Sequence, residues 1–405
     1  MIRVLHVFSP LYGHTFSGEN KWWTRLFQEW SKEQLQHLIL LPEDDKFVEA
    51  RAIKSAFGDS NSAAPYNYSR MRRAVWAFQV LLNLWWYRKS FDLIHVHIQN
   101  WAGLLIGPFS HLIGRPSVRS IVRMESDDPS TLLKESFGHV KLWCFKRYDR
   151  ILCLSEALRQ DCLMNNLKEE QVKMLISAVD TSVFAPATSP DTKNITRLRL
   201  ELPLSADIIL SVGSVIYRKG ADLLLDAFIS LAEVYQNLYV VFVGPASQDT
   251  SIGINENFVR GLRNRVENLG LTKRVLFVGR VDNDQLLANY YKAVDIFAFP
   301  TRQEGLGYVI LEAMSSELPV ITSYLPGITD MLVKEGITGF IIPTEDSQAL
   351  ANRIAILAEN KKLRNEIGKN SREWVARHLT YDRWQTEIVK IYESLMPETP
   401  LIGTV

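Results

Sequence analysis

The sequence holds little cysteine: Cys144, Cys153 and Cys162 are the only three in 405 residues. An odd number without CxxC spacing makes neither a disulfide framework nor a zinc knuckle, and it suits a reducing compartment, with the cytoplasm as the default. An excess of one charge is also missing. Lys and Arg total 46 against 45 Asp and Glu, so no bulk field favours nucleic acid or another polyanion. Long apolar runs are absent. The nearest candidate, "AVWAFQVLLNLWWY" at 74–87, contains Gln79 and Asn83 and falls short of the roughly 20 apolar residues that cross a bilayer. The start, "MIRVLHVFSPLYG", lacks the apolar core and small-residue cleavage site of a signal peptide and reads as a first strand. Neither half opens on GxGxxG, which leaves a nicotinamide-dependent dehydrogenase without its phosphate turn.

What is present is an alternation. Short apolar runs rich in β-formers recur at 3–9, 37–41, 93–97, 120–124 and 150–155, and again at 207–213, 239–244, 275–279, 295–300 and 319–323, with amphipathic helical stretches between them. That order predicts an α/β fold of doubly wound parallel sheets covered by helices. The length exceeds one ordinary core, so two domains are expected. The stretch "FAPATSPDTKNITRLRLELPLSAD", with Pro186, Pro190 and Pro203 and no sustained period, reads as the connection between them. The expected division is 1–187 and 188–380. A last amphipathic stretch, "YDRWQTEIVKIYESL" at 381–395, must dock its apolar face on something.

Doubly wound sheets bind ligands beyond the carboxyl ends of their strands. "FAFPTRQEGLGYVILEAMSSELPV" (297–320) makes such a loop: a strand stops at Pro300, turns through Glu304, Gly305, Leu306 and Gly307, and restarts as a helix carrying Glu312. The glycines let backbone approach a ligand, and the first amides of the helix suit phosphate. A carboxylate such as Glu312 accepts paired hydroxyls well. The plainer reading makes Glu304 a helix cap and Glu312 a surface charge. His95 and His97 project to one side of a strand, and an HxH pair can begin a metal site; no third ligand is evident, and packing or hydrogen bonding is the preferred reading. Asp282-Asn283-Asp284 imitates a metal-binding DxD but introduces a helix, where Asp is a common cap. No metal is expected.

"RQEGLGYVILEAM" resembles the Glu-x7-Glu signature of retaining glycosyltransferases of the GT-B fold, particularly glycosyltransferase family 4. "SVGSVIYRKGADLLLDAF", "VLFVGRVDNDQLLANYYKAVDIFAFPT" and "PVITSYLPGITDMLVKEGITGFIIP" follow the family's second domain in order, and "FSGENKWWTRLF", "DLIHVH" and "CLSEAL" match the first more loosely. The resemblance implies two Rossmann-like domains facing a cleft, an acceptor-binding domain at 1–187 joined by the C-terminal helix (about 381–405) and a nucleotide-sugar-binding domain at 188–380. It implies that Lys219 binds the donor diphosphate, that Glu312 holds the ribose, and that Glu304 with the amides of Gly305, Leu306 and Gly307 holds sugar and diphosphate. Gly279, Arg280 and Val281 would border the base, and Gly18 would bring a glycine turn to the phosphates. The sequence departs from the family pattern at several places. Ser214 stands where the family has Arg, with Arg218 as the replacement cation; Ser177-Ala178 replaces Asn-Gly; Glu317 replaces a Gly; and the acceptor-side His near Met124 is missing, leaving His97 and Glu125 as acceptor-side candidates.

The resemblance implies a hexosyltransferase-type enzyme that needs no cofactor beyond its substrate, a UDP- or GDP-linked sugar, and that passes the sugar with retention to a lipid-linked or glycan-precursor hydroxyl. Lys219, Glu304 and His97 are the candidates for the chemistry. "YNYSRMRRAVWAFQVLLNLWWYRKSF" (66–91), with five basic residues, eight aromatics and no acid, suits an anionic membrane surface; the alternative is a core helix with a basic end. Two other readings stay open at this point: a nucleotide-sugar 2-epimerase of the same architecture, and a binding subunit without turnover.

Overall fold

A computed structural model describes residues 1–8, 22, 23, 26, 27, 30, 33–40, 47–49, 70–98, 100–246 and 255–397. The chain forms two compact units: residues 1–176 with 382–405, and residues 177–381.

In the first unit the apolar runs become β1 (Ile2–Val7), β2 (Leu35–Leu40), β3 (Phe47–Glu49), β4 (Leu93–Val96), β5 (Ser117–Ile121), β6 (Arg150–Cys153) and β7 (Val172–Met174). They join in the order β3-β2-β1-β4-β5-β6-β7. All neighbours are parallel except β3, which closes one edge antiparallel to β2. Every residue of β4 is buried, as expected for a parallel sheet covered on both faces. Part of that cover is the C-terminal helix Tyr381–Glu393, whose Ile388 and Tyr392 are wholly buried. The amphipathic end of the chain therefore docks on the first unit.

The second unit has β8 (Asp207–Val212), β9 (Leu238–Val243), β10 (Val275–Gly279), β11 (Ile296–Phe299), β12 (Val320–Ser323) and β13 (Gly339–Ile342). All are parallel, in the order β10-β9-β8-β11-β12-β13. The stretch expected to be an irregular connection folds instead as part of this unit. Ser189 Oγ accepts from the Thr192 amide at 3.1 Å and Pro190 takes the first turn of the helix Pro190–Arg199, both standard helix-starting devices. Arg197 is buried and donates to the Ala293, Leu204 and Ala206 carbonyls and to Asp295 Oδ2 at 2.6 Å. Burial alone would raise the Asp295 carboxyl, but Lys193 and Arg197 hold it below its ordinary value. The division thus falls near 176 rather than 187. Phe184, wholly buried, packs edge-on against Tyr291 and its carbonyl accepts from Ser315.

Candidate functional site

The strand order of the second unit reverses direction between β8 and β11, so the loops that follow these two strands part from each other there. Such switch points are where open α/β sheets bind ligands. Three strand ends on the β8 side are stitched by backbone: the Gly213 amide donates to Val243 O at 2.9 Å and the Gly244 amide to Gly279 O at 2.8 Å. Gly244 has a φ of +149°, and a Cβ there would lie 2.0 Å from Gly213 O, so only glycine fits.

Gly220 couples the two diverging loops. Its φ is +72°, and a Cβ on it would come within 1.9 Å of Pro300 O. This close approach seats the short turn Tyr217–Lys219 against the loop after β11. Arg302 N donates to Arg218 O at 2.8 Å, Thr301 Oγ1 to the same carbonyl at 3.2 Å, and Arg218 Nη1 to Gln303 O at 2.8 Å. The result places the Lys219 ammonium in an ion pair with Glu304 Oε1, while Arg218 Nη1 stands 3.6 Å from the same oxygen. Lys219 Nζ also lies 5.0 Å from the centre of the Phe299 ring. Glu304 is buried, as are Gly305, Leu306 and Gly307. Gly307, at φ +88°, starts the helix Tyr308–Ser315, whose first amides have no intrahelical acceptor.

Glu312 sits on that helix and accepts from Tyr291 OH at 2.9 Å, which fixes its carboxylate. Tyr308 OH and Ser177 Oγ are 3.1 Å apart, so the serine at the Asn-Gly position contacts the signature helix. Ser214, Gly279 and Val281 are half-buried at the ends of β8 and β10, and Arg280 is exposed, bonding Asp282 at 2.9 Å. Asn283 accepts from the Leu286 amide at 2.9 Å, so the DxD look-alike caps a helix.

Lys219, Arg218, Glu304 and the 305–307 turn therefore come together, with Glu312 on the helix that the turn begins. Gly18 lies outside the described residues. In the first unit Glu125 is exposed after β5 with a left-handed φ of +60°. His97 is buried, stacked 4.3 Å from the Phe8 ring, with Nε2 3.0 Å from His6 Nδ1. That burial weighs against an acceptor role for His97. It also corrects the expectation that the HxH pair has no third partner: His6 is that partner, unannounced because it stands alone, about 90 residues before the pair, on a strand that joins β4 only in the assembled sheet.

Sequence reading assigns no role to Arg302, although it stands two residues before Glu304. Its guanidinium grips Asp222 with two bonds of 2.8 Å, bonds Glu345, and lies 3.6 Å over the Tyr217 ring. The carboxylates raise its already high pKa despite partial burial, which opposes them.

Residues 193–374 match the family model described as glycosyl transferases group 1. That stretch belongs to this family. Similar curated proteins include the lipopolysaccharide core biosynthesis mannosyltransferase LpsB of Rhizobium meliloti (strain 1021), 27% identical over 55% of this chain and 61% of the relative. Another is the capsular polysaccharide biosynthesis glycosyltransferase CapM of Staphylococcus aureus, 28% identical over 62% of each. The chain spans about three fifths of the length of these two relatives. Among solved structures, Anabaena Alr3699/HepE in complex with UDP aligns at TM-score 0.76 and 19% identity over 98% of this chain and 100% of that one. Sucrose-phosphate synthase from Thermosynechococcus elongatus aligns at 0.74 and 20% over 98% and 99%. These likenesses establish the fold, two Rossmann-like parallel-sheet units as in GT-B glycosyltransferases.

Proposed function

We propose that the protein is a retaining glycosyltransferase of the hexosyltransferase type. It moves a sugar from a UDP- or GDP-linked donor to a hydroxyl of a lipid-linked or glycan-precursor acceptor, and the transfer step uses no metal. The observation that carries this reading is the convergence of Lys219, Glu304 and the Gly305–Gly307 turn at the switch point of a group 1 glycosyl transferase domain. Structures of the fold neighbour in complex with UDP and with UDP-glucose support a nucleotide-sugar donor. The names of LpsB and CapM support a glycan acceptor.

The chemistry follows from charge. As the bond between the anomeric carbon and the diphosphate breaks, negative charge grows on the leaving oxygen. Lys219 and the amides that open the helix at Tyr308 stabilise that charge more in the transition state than in the ground state. Lys219 leaves Glu304 Oε1 for the diphosphate, freeing the carboxylate for sugar hydroxyls. Glu312, steadied by Tyr291, takes the ribose diol; Gly279, Arg280 and Val281 border the base. The acceptor hydroxyl attacks the face that the diphosphate leaves and gives its proton to the departing phosphate oxygen, which keeps the anomeric configuration. Glu125 serves the acceptor.

A second observation concerns where the acceptor is met. The helix Arg70–Trp86 buries Ala77, Val80 and Leu84 but exposes Val75, Phe78, Leu82, Trp85 and Trp86. It is apolar on both sides. Arg88 lies over the Trp85 ring at 4.5 Å, and on the same unit Arg147 covers the exposed Trp143 at 4.7 Å. Aromatic residues topped by cations suit an anionic bilayer surface, where rings enter the interface and cations meet lipid phosphate. Among the described residues no helix is long and apolar enough to cross a membrane; the attachment proposed is peripheral, at the cytoplasmic face.

The deciding experiment screens nucleotide-sugars for binding to the purified protein, then follows the tightest donor with lipid extract by mass analysis and NMR of the anomeric proton. An axial product from an axial donor supports the proposal. An inverted product overturns retention, and donor bound without any turnover identifies a binding subunit instead. Vesicles containing phosphatidylglycerol test the membrane step: Trp85→Ser with Trp86→Ser, or neutralising Arg70, Arg72, Arg73, Arg88 and Lys89, should abolish co-sedimentation. Unchanged binding would remove that step.

A further inference from the structure

The first unit contains a second cluster of chemically active side chains that the transfer reaction does not use. His6 on β1, His95 on β4 and His97 just after it lie on one face of the sheet; His6 pairs with His95 in register. One ring nitrogen from each lies within 4.8 Å of the others. His6 and His95 are wholly buried and His97 is 8% exposed. His6 Nδ1 faces His97 Nε2 at 3.0 Å, and His97 Nδ1 has no hydrogen-bond partner among the described residues. Burial pushes all three rings well below the ordinary histidine range, so they are neutral and each carries a lone pair.

We propose that His6, His95 and His97 form a binding site for one borderline-to-soft transition-metal ion of the zinc and copper class. Neutral imidazole is the ligand such ions prefer. Zinc–nitrogen bonds of about 2.0–2.1 Å in a tetrahedral site need nitrogens roughly 3.3 Å apart, so the His6–His97 pair needs only to open slightly and His95 to turn toward it. The orienting partners are already in place. His6 Nε2 lies 2.8 Å from His37 Nδ1, and His95 is held by Tyr392 OH at 2.6 Å and Ser120 Oγ at 2.7 Å. Whichever nitrogen His95 gives to the ion, the other keeps a hydroxyl. Such outer contacts fix tautomers and hold ligand rings in aim. Binding loses no proton. The hydrogen shared between His6 and His97 moves to the far nitrogen of one ring as the metal takes the two lone pairs.

No carboxylate hydrogen-bonds to these three rings among the described residues, and Phe8, Trp23 and Phe27 wall the cluster. Oxygen-seeking magnesium and calcium are therefore poor occupants. The ion ties β1 to the end of β4 and acts on the stability of the first unit. It is separate from the donor chemistry, which stands or falls independently.

The test uses the full chain, stripped with a chelator and dialysed against zinc, with bound metal counted by elemental analysis. One ion per chain is expected, with affinity lowered at least 100-fold by His6→Asn or His97→Asn and unchanged by His139→Asn or His378→Asn, which are exposed. The thermal midpoint should rise by about 5–10 °C at zinc a hundredfold above Kd. No bound ion, or an ion lost only with the exposed histidines, overturns the site. Should the buried variants fail to fold, ring nitrogen NMR of the unaltered protein decides. Zinc must shift the resonances of His6, His95 and His97 and spare those of His111, His139 and His378; the reverse pattern refutes the assignment.

Discussion

Arg302 and Asp222 meet through two parallel hydrogen bonds of 2.8 Å, joining residues 80 apart in sequence. Through them the loop that carries Glu304 is locked to the helix Ala221–Leu231, which follows Lys219 directly. The same guanidinium holds Glu345 and covers Tyr217, so both halves of the candidate donor site share one anchor. Arg302→Ala is expected to cut kcat/KM by about tenfold or more by releasing the loop. Arg302→Lys should rescue little, because an ammonium cannot span both carboxylate oxygens. Steady-state kinetics alongside thermal melts check this; full activity of the Lys variant would show that the fork geometry is unimportant.

Lys219→Ala should lower kcat/KM by about 10²–10³ through loss of charge stabilisation on the leaving group. Arg218→Ala should cost less, about tenfold, through weaker donor binding. Because Lys219 and Glu304 are ion-paired, the double variant with Glu304→Gln should lose less than the sum of the single losses. Arg218→Ala with intact donor affinity and turnover would rule out its role as replacement cation.

Glu317 occupies a left-handed conformation, φ +62°, just past the helix Tyr308–Ser315. Its amide donates to Met314 O and the Leu318 amide to Ala313 O, both at 3.1 Å, the paired bonds that close a helix around a C′ residue usually supplied by glycine. Glu317→Gly is expected to stabilise the protein by about 0.5–1 kcal/mol by relieving the side-chain clash. Chemical denaturation measures it. A lowered midpoint would mean that electrostatic attraction to Arg372, whose charge burial disfavours and Glu317 supports, outweighs the strain.

Asp127 is buried and accepts from the Val122 and Arg123 amides at 2.6 and 3.0 Å. Burial pushes its carboxyl up to about 6 from 3.8, against the pull of those amides and of Arg119. The folded state thus binds this proton more tightly than the unfolded chain. The resulting stabilisation is complete below about pH 4 and is lost as pH rises through 6. Between pH 7 and 4.5 the wild type should gain on the order of 2 kcal/mol relative to Asp127→Asn. A constant difference between the two proteins across that range would refute the raised pKa.

Much of this was readable from the residues alone. Nine of the ten expected strands form close to where the short apolar runs of β-formers lie, but the one expected at 120–124 forms earlier, as Ser117–Ile121, where Arg119 masks its start. The Glu304–Glu312 loop stood out because two glycines follow a buried strand where a helix begins, but spacing alone left the plainer reading open and the resemblance supplied the roles. Three strands escaped: β3 and β7 are three residues long, too brief for a period, and β13 opens on Gly339, a poor strand former. The helix Pro190–Arg199 was hidden by the prolines in and around it, one of which starts it, and by Arg197, an arginine that ordinarily marks a surface but here is buried on Asp295. Arg302–Asp222 and His6–His95 were illegible because such partners meet only after the sheets assemble.

The helix Arg70–Trp86 bears on how the protein behaves in a test tube. With Phe78 and Trp86 two-thirds exposed, a buffer without lipid or detergent leaves an oily stripe whose cheapest refuge is another copy of the chain. Dimers or larger species seen by size-exclusion in plain buffer should dissolve when micelles are added, so an oligomeric state recorded without them describes the solvent more than the protein.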